Sequence, residues 1–383
     1  MHLRTVTAFN VRCHEHARLE CAGNVTILSG PNGSGKTSLL ETVHTCALAR
    51  TFVPVSDTAM IRQGAEVSQL SVEAFTDLGT RYRAAVEFRE GQRKKITTSH
   101  SDNATAKEII GAMPVVALSP DHKAITFGAP ADRRSFIDSL MAQSSKRVTD
   151  VLYEHRRLLK QRNAMLANEG SFASDLWDVL TKAFVVASTE LVERRASFLS
   201  DLQPLVTEEY AGVAGESEQV TIRYEPDHVA FDSGSSILDQ LSGAASQLTT
   251  AEKLRARTLF GPQKDDIVFE LNGRSVRDCA SQGQHKSLLV ALKLAEARMM
   301  HERRSEKPVV LLDDVFSELD SQRASRVLAR MLDLGLQCMV TTTDGEAVFK
   351  HAVENGASEV ICINIPNDVR MDADTDVRTK AVA

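Results

Sequence analysis

The feature that most constrains how this chain folds is a glycine-rich run at residues 30–37, which reads GPNGSGKT. The run matches the pattern G-x-x-x-x-G-K-[ST]. It follows a β-rich segment at residues 24–28 and precedes apolar residues at helical spacing at residues 37–49. In this context the backbone N–H groups of the loop point inward at an anion, and the N-terminus of the helix adds positive charge. The run therefore predicts a strand, a phosphate-binding loop and a helix in succession.

The loop also predicts its ligand, because its side chains have defined uses at a nucleoside triphosphate. Lys36 would reach the β- and γ-phosphates of ATP, and the Thr37 hydroxyl would ligate Mg²⁺. A chance glycine-rich turn is the alternative, and the flanking strand and helix argue against it. The residues expected to bind ATP are Gly30, Pro31, Asn32, Gly33, Ser34, Gly35, Lys36 and Thr37.

A second motif supplies paired acids. Residues 309–312 are apolar and predict a buried parallel strand, and Asp313 and Asp314 follow at its C-terminal end, where the sites of α/β proteins lie. Asp313 would hold Mg²⁺ through water, and Asp314 would polarise the attacking water. Alone, such a run is more often a strand and a turn. Beside the phosphate-binding loop it predicts ATP hydrolysis, with Lys36 and both acids as catalytic residues.

A third motif, ASQGQ at residues 280–284, precedes a helix predicted at residues 285–303. Backbone N–H groups at the start of a helix suit a γ-phosphate. The alternative is an ordinary helix cap, with the serine capping and the second glutamine at the third helical position. Residues 317–320 (SELD) follow the paired acids. The expected nucleotide contacts in the third motif are Ser281, Gly283 and Gln284.

These motifs together resemble the head of the ABC-type ATPases. In such heads the signature motif of one copy closes over the ATP of another copy. The resemblance therefore implies an ATP-gated homodimer in which Ser281 acts as a catalytic residue on the partner's nucleotide.

Composition limits the other possibilities. The six cysteines contain no C-x-x-C pair, so neither a zinc site nor a redox pair is indicated. No segment resembles a signal peptide or a membrane helix, so we expect a cytoplasmic protein without a membrane partner. The formal net charge of −6 neither predicts nor excludes binding to nucleic acid, because a local patch decides that.

Helical periodicity divides the chain. Apolar residues recur at helical spacing from residue 130 to about 165 and from 176 to 205, which predicts an antiparallel hairpin interrupted at residues 168–174. Two shorter helical segments follow, up to residue 258. We expect an α/β fold: an ABC-type ATPase head, with a mixed sheet around the phosphate-binding loop and an antiparallel β part, and an inserted α-helical arm. The expected ranges are 1–120 (head), 121–258 (arm), 259–366 (head) and 367–383 (loose tail).

The residues of this chain do not match several branches of the ABC-type ATPases. Transporter heads rarely carry so large a helical insert, and they have a histidine after the strand that follows the acids, where residues 339–344 read MVTTTD. A zinc-hook ATPase would need C-x-x-C, and an SMC protein would need much longer arms. The chain instead resembles the RecF family over nearly its whole length. The similar segments are GPNGSGKTSLLE (30–41), MPVVALSPD (113–121), GAPADRRSFID (128–138), LLKQRNAML (158–166), GPQKDD (261–266), SQGQHKSL (281–288) and LLDDVFSELD (311–320).

This resemblance implies a weak, DNA-stimulated ATPase that uses ATP and Mg²⁺. It implies binding to double-stranded DNA as an ATP-dependent homodimer. It also implies RecR and RecO-type mediator partners and, indirectly, the loading of RecA at single-strand gaps or duplex junctions.

Clusters of basic residues are the candidate DNA contacts. For each cluster the alternative is a solvated helix face with local ion pairs. The clusters are Arg93-Lys94-Lys95 on a predicted turn, Arg133-Arg134, the arm residues Arg156, Arg157, Lys160 and Arg162, and Arg194-Arg195 on the second arm helix.

Two other functions stay open on the sequence. One is an ABC-type ATPase of another branch, such as a transport-associated protein, which membrane partners and a missing response to DNA would reveal. The other is a pure nucleotide switch, in which ATP occupancy matters and hydrolysis only resets the protein.

Overall fold

The computed structural model describes residues 1–52, 55–168, 175–215, 218–366 and 377–380. Backbone contacts divide the chain into two compact units. The head unit comprises Met1–His122, Glu209–Gly215 and Lys286–Ala383. The arm unit comprises Lys123–Glu208 and Glu216–His285.

The strands are β1 (His2–Val11), β2 (His14–Glu20), β3 (Val25–Ser29), β4 (Val67–Phe75), β5 (Arg81–Arg89), β6 (Lys95–Thr98), β7 (Val115–Leu118), β8 (Val220–Glu225), β9 (Asp266–Leu271), β10 (Arg274–Ser275), β11 (Val309–Asp313), β12 (Gln337–Thr342), β13 (Val360–Asn364) and β14 (Val377–Lys380). The helices are α1 (Lys36–Leu48), α2 (Ala106–Ile109), α3 (Ala124–Phe127), α4 (Pro130–Ser144), α5 (Lys146–Leu166), α6 (Asp175–Ala214), α7 (Ile237–Arg255), α8 (Val276–Cys279), α9 (Gln282–Arg304), α10 (Ser321–Asp333) and α11 (Gly345–Glu354).

A mixed six-stranded sheet forms the centre of the head unit. Its order is β14-β13-β3-β12-β11-β7, in which the strands from β13 to β7 run parallel and β14 pairs antiparallel with β13. Strands β11 and β12 are buried along their whole length, as strands of parallel sheets usually are, and β11 has a nearly continuous apolar sequence. Because the strands are parallel, the ends of β3, β12 and β11 meet at one edge of the sheet. The phosphate-binding loop and the paired acids follow there.

An antiparallel sheet of order β2-β1-β4-β5-β6 forms the second β part of the head unit. Buried and exposed residues alternate along β4 and β5, so one face of this sheet lies in the core. Val6, Val72 and Val86 share one hydrophobic cluster with Leu39 and Val43 of α1. The helix that begins at the phosphate-binding loop is thereby held in the core. This architecture confirms the α/β fold with a mixed sheet and an antiparallel part.

The arm unit is mainly helical, as expected, but its helices differ from the prediction. The first long helix is interrupted at Ser145, which is extended (φ −153°, ψ 123°), and it therefore forms α4 and α5. The second helix, α6, has 40 residues and contains Pro204. The two short segments expected before residue 258 are the single helix α7. The interruption expected at residues 168–174 falls almost entirely outside the described residues.

A buried ion pair lies in the core of the arm unit. The guanidinium of Arg162 donates to both carboxylate oxygens of Glu252, at 2.9 and 2.7 Å, and both side chains are fully buried. The same guanidinium lies 4.6 Å from the ring centroid of Trp177 and 5.0 Å from that of Phe260. Charge and aromatic packing therefore join α5, α6 and α7 within this unit.

The two units differ from the expected domain ranges in three places. The arm unit continues to His285 instead of ending at residue 258, because β8 and β9 pair with each other. Residues 209–215, at the end of α6, belong to the head unit. Residues 377–380 form β14 on β13, where the open strand edge offers unpaired backbone groups, so this part of the expected loose tail is a strand. The remainder of 367–383 lies outside the described residues. Within the described residues, no helix is long and apolar enough to cross a membrane.

Candidate nucleotide-binding site

The phosphate-binding loop connects the end of β3 to the start of α1. Gly33 and Gly35 have φ angles of 85° and 91°, in the left-handed region that favours glycine. At Gly33, an added Cβ would meet nothing within 4 Å, whereas at Gly35 it would lie 2.3 Å from His14 Nε2 and 2.4 Å from Cys13 Sγ. Both positions therefore need glycine for their backbone conformation, and Gly35 also needs it because the β1–β2 turn lies against the loop.

Lys36 is the first residue of α1, and its side chain folds back onto the loop. Its Nζ donates to the backbone carbonyls of Gly30 and Pro31 at 2.6 and 2.7 Å. Burial lowers the pKa of Lys36, and the negative charges of Asp314 and Asp313 oppose that shift. The ammonium group therefore lies at the loop and close enough to the paired acids to feel their charge.

Thr37, Asp313 and Thr341 form a chain of hydrogen bonds at the edge of the sheet. Thr37 Oγ1 and Thr341 Oγ1 both donate to Asp313 Oδ1, at 2.8 and 2.7 Å. Asp313 is mostly buried, and it lies opposite Thr341 in the parallel register of β11 and β12. The two motifs predicted to share Mg²⁺ are thus brought together, although most of the sequence separates them.

Asp314 has an unusual backbone conformation. Its φ is 50°, in the left-handed region, although it is not glycine. Its N–H lies 3.2 Å from the Thr341 carbonyl oxygen and 2.9 Å from Thr341 Oγ1. Its Oδ1 is buried and has no hydrogen-bond partner among the described residues. Such strain costs about 1–3 kcal/mol and is concentrated at functional sites.

These side chains fit a magnesium nucleotide. Ser34 Oγ and Asp314 Oδ1 are buried polar atoms without a hydrogen-bond partner in the described part of the chain, so each can accept a bond from a ligand or its water, and the serine can donate one. Thr37 and Asp313 offer the hard oxygen ligands that Mg²⁺ prefers. Among the described residues no three His, Cys, Asp or Glu side chains form a metal cluster. Mg²⁺ would therefore depend on phosphate oxygens and water for its other ligands, as it usually does.

The third motif lies in the arm unit and forms a helix cap. Helix α9 begins at Gln282, so Gly283 and Gln284 lie in its first turn and not before it. The Gln284 N–H donates to Ser281 Oγ at 3.3 Å, and the Ser281 N–H donates to Gln284 Oε1 at 2.7 Å. This reciprocal pair is the capping arrangement that the sequence left as an alternative. The cap and a role at a partner's nucleotide are compatible, because both use the N-terminus of α9.

The segment after the paired acids is a short turn of helix. Ser317 Oγ donates to the Asp314 carbonyl oxygen at 2.7 Å, which links this turn to the strained acid. Asp320 caps α10 by accepting a hydrogen bond from the Arg323 N–H at 2.9 Å. The turn is therefore bonded directly to the backbone of Asp314.

Several candidate DNA contacts are engaged inside the arm unit. Arg133 is buried and makes two hydrogen bonds to Asp266, and Arg134 donates to the Asp265 carbonyl. Arg195 is buried against Asp138 and Asp265, and Arg162 against Glu252. Three of these side chains do not face solvent, so they are excluded as DNA contacts: Arg133, Arg162 and Arg195. They occupy helix faces that the packing of the unit covers.

Other basic candidates are exposed. Arg156 and Lys160 are exposed on α5, and Arg157 beside them pairs with Glu154. On the β5–β6 turn, Arg93 and Lys95 are exposed, whereas Lys94 lies 3.1 Å from Asp57. Arg194 pairs with Glu190 within α6. Two surfaces therefore remain for a polyanion: the exposed face of α5 and the β5–β6 turn.

Sequence reasoning missed three residues at the nucleotide site. Thr341 contacts both acids, but no local pattern in the run MVTTTD marks this threonine as part of a site. Cys13 and His14 lie against Gly35, but no local pattern marks the β1–β2 turn as part of the site. The pairing of β12 beside β11 was the signal that could have identified Thr341, because it places residue 341 level with residue 313.

Comparisons with known proteins identify the family of this chain. Residues 2–361 match the family model described as the RecF/RecN/SMC N-terminal domain. A DNA replication and repair protein RecF from Chlorobium luteolum is 33% identical over 351 residues, which cover 90% of this chain and 95% of that protein. The protein of the same name from Staphylococcus aureus is 32% identical over 363 residues, covering 93% and 97%.

Solved structures show the same fold. A structure described as the recombination mediator protein RecF with ATP in the RecFOR pathway has a TM-score of 0.87 and 22% identity, and the match covers 97% of both chains. An SMC head bound to a ScpA domain has a TM-score of 0.56 and 11% identity, with 100% of this chain and 98% of that chain covered. Since the family model and relatives above 30% identity span nearly the whole sequence, this chain belongs to the RecF family of DNA replication and repair proteins.

Proposed function

We propose that this chain is a DNA-binding ATPase of replication and recombinational repair that closes as a dimer when it binds ATP. The observation that carries the proposal is the hydrogen bond of 2.8 Å between Thr37 and Asp313, which joins the phosphate-binding loop to the paired acids. Lys36 and Asp314 lie at the same edge of the sheet. Two names further support the proposal. The relatives are named as replication and repair proteins, and the name of a structural neighbour includes ATP.

In the proposed reaction, each residue of the head unit has a separate task. Lys36 exchanges the carbonyls of Gly30 and Pro31 for the β- and γ-phosphates. Thr37 and Asp313 would hold Mg²⁺, and the bound ion would neutralise the charge that develops on the phosphates. Asp314 orients and polarises the attacking water. We expect slow hydrolysis that DNA stimulates.

Dimerisation is proposed to use the N-terminus of α9. Ser281, Gly283 and Gln284 lie at that N-terminus, where backbone N–H groups favour an anion. In the dimer this turn would approach the γ-phosphate held by the other copy. ATP would then act as the bridge between two chains, because each site would be completed only by its partner.

A substitution at Ser281 tests this arrangement. Ser281→Arg should bind ATP in its own loop but fail to dimerise, because bulk and charge block the approach to the partner's nucleotide. The cost of the lost cap, about 1 kcal/mol, should leave the protein folded. Ser246→Arg, on an exposed position of α7, is the matched control. Light scattering with ATP and with ADP measures the result. A Ser281→Arg protein that dimerises normally with ATP would reduce the serine to a helix cap.

The partners form a further part of the proposal. Double-stranded DNA would contact the exposed face of α5, with Arg156 and Arg157, and the β5–β6 turn, with Arg93, Lys94 and Lys95 as the predicted cluster. RecR and RecO-type mediators would act with the dimer to load RecA at single-strand gaps or duplex junctions. Such work on chromosomal DNA would place the protein in the cytoplasm. We also propose that ATP chemistry uses the head unit together with the N-terminus of α9, and that DNA contacts lie on the helical arm and on the β5–β6 turn of the head unit.

A pure nucleotide switch is the competing function. Asp314 favours turnover over that alternative, because a strained acid with an unpartnered, buried oxygen at the end of β11 is suited to holding a water. A rate of hydrolysis that duplex DNA leaves unchanged would favour the switch. The transport-associated branch is not retained, since the chain belongs to the RecF family.

A further inference from the structure

The turn between β1 and β2 places a thiol and an imidazole against the phosphate-binding loop. Cys13 Sγ and His14 Nε2 both lie so close to Gly35 that a single added carbon atom there would overlap them. His14 Nε2 is also 3.0 Å from the Gly35 carbonyl oxygen. Cys13 is partly exposed, so a reagent in solution can reach it. The residue after Gly35 is Lys36, so a group attached to Cys13 would lie next to the phosphate-binding loop.

The turn is held rigidly in this position. Asn10 and Arg12 have φ angles of 51° and 50°, so two residues with side chains occupy the left-handed region. The Arg12 guanidinium lies 2.6 Å from the carboxylate of Glu41, which is fully buried in α1. The Arg12 N–H donates to the Met60 carbonyl at 3.1 Å. A bulky group on Cys13 would find little freedom in the turn, and the strain would pass to the loop.

The surroundings of Cys13 also favour reaction. A hydrogen bond with His14 lowers the pKa of Cys13 against the effect of burial, and contact with Cys13 and the Gly35 carbonyl raises the pKa of His14 although burial opposes it. Burial instead raises the pKa of Cys21 and of Cys338 to about 12. The thiolate is the reactive form of cysteine, so Cys13 is the chemically favoured thiol over Cys21 and Cys338.

We propose that Cys13 is a reversible thiol-modification site through which a low-molecular-weight disulfide switches off nucleotide binding at the adjacent loop. The inference rests on the proposed ATP site. The Cys13 thiol gives its proton to solvent, and the Cys13 thiolate attacks one sulfur of the disulfide. The S–S bond of the reagent breaks, a mixed disulfide forms on Cys13, and the other half leaves as a thiolate that takes up the proton. Excess thiol reverses the exchange by the same chemistry.

The test uses the full chain and oxidised glutathione. Wild type, Cys13→Ser and Cys279→Ser are each treated, and the modified residues are identified by mass spectrometry before MgATP binding is measured. Cys279 is the matched control because it is an exposed thiol in the arm unit. We expect Cys13 to be modified before Cys279. ATP affinity should then fall by about tenfold or more in wild type and Cys279→Ser, stay unchanged in Cys13→Ser, and return with dithiothreitol. MgATP added first should protect Cys13.

Three outcomes would overturn the inference: Cys13 fully modified with unchanged ATP affinity, no preference for Cys13 over Cys279, or an equal loss of affinity in Cys13→Ser. If the proposed ATP site is itself wrong, untreated wild type will not bind ATP, and this result distinguishes that failure from failure of the thiol inference. In that case the mass measurement still decides whether Cys13 is the reactive thiol.

Discussion

At the scale of single residues, the two neighbouring acids have different environments and should have different roles. Asp313 accepts hydrogen bonds from Thr37 and Thr341, whereas Asp314 leaves one buried oxygen without a partner among the described residues. The first arrangement suits a ligand of Mg²⁺ and the second suits a base that holds water.

Amide substitutions separate these roles. Asp314→Asn should bind MgATP normally, hydrolyse it about 100-fold more slowly and accumulate as an ATP-bound dimer, because a general base typically contributes that much. Asp313→Asn should instead weaken Mg²⁺-dependent binding itself. The two variants control for each other, since each removes one charge and keeps the shape. Single-turnover hydrolysis and binding titrations with and without Mg²⁺ measure the effects. Wild-type turnover in both would mean that the assigned roles are wrong.

Replacement of Lys36 tests whether the loop at residues 30–37 binds phosphate. Lys36→Met should lose MgATP affinity by about 3 kcal/mol, roughly a hundredfold, because the phosphates lose a charged donor. The fold should persist, since the lysine contacts only carbonyls of its own loop in the described structure. Binding is measured by calorimetry and folding by circular dichroism. Near-normal affinity in a folded variant would contradict the assignment of the loop.

The sequence predicts a residue of the site when the pattern that marks that residue is contiguous in the chain. Lys36 and Thr37 lie in one contiguous run, and so do the paired acids, so their pattern predicts them before any fold is known. Thr341 reaches the site through the pairing of β12 with β11. His14 reaches it through a turn whose strain no short pattern encodes. Such residues depend on strand register and loop contact, which a local pattern does not specify.

At the scale of elements, helix periodicity identified the arm but not which basic residues it buries. Arg156 and Arg162 belong to the same predicted cluster on α5, yet the first is exposed and the second is fully buried. The face of a helix that is covered depends on its neighbours, here α6 and α7. Likewise, the break at Ser145 has no glycine or proline to mark it.

This contrast predicts different stabilities. Arg162→Met should destabilise the arm unit by about 3–5 kcal/mol, because Glu252 is left as a buried charge without its partner. Arg156→Met, its matched control, should change stability by less than about 0.5 kcal/mol. Urea denaturation followed by fluorescence measures this well, since Trp177 is the single tryptophan of the chain and lies against Arg162. Equal midpoints for the two variants would contradict a structural role for the ion pair.

At the scale of the whole molecule, a chain with a formal net charge of −6 would have to bind DNA, which is also negatively charged. Binding to phosphates depends on local positive surfaces and not on the total charge. If ATP joins two chains, the exposed basic faces of both copies become available to one duplex. Little preference for DNA sequence is expected, because phosphate contacts carry no sequence information directly.

The salt dependence of duplex affinity, measured with ATP and with ADP, tests this central claim most directly. We predict tighter binding with ATP and a steep slope of log affinity against log salt, about −0.9 for each phosphate neutralised. Arg156→Glu with Arg157→Glu should flatten the slope and leave ATP binding intact, whereas Arg255→Glu with Arg257→Glu, an equal charge reversal elsewhere in the arm unit, should not. An unchanged slope in the first variant would move the contact toward the β5–β6 turn. Equal affinity in both nucleotide states, or a slope near zero, would contradict an ATP-gated DNA-binding dimer.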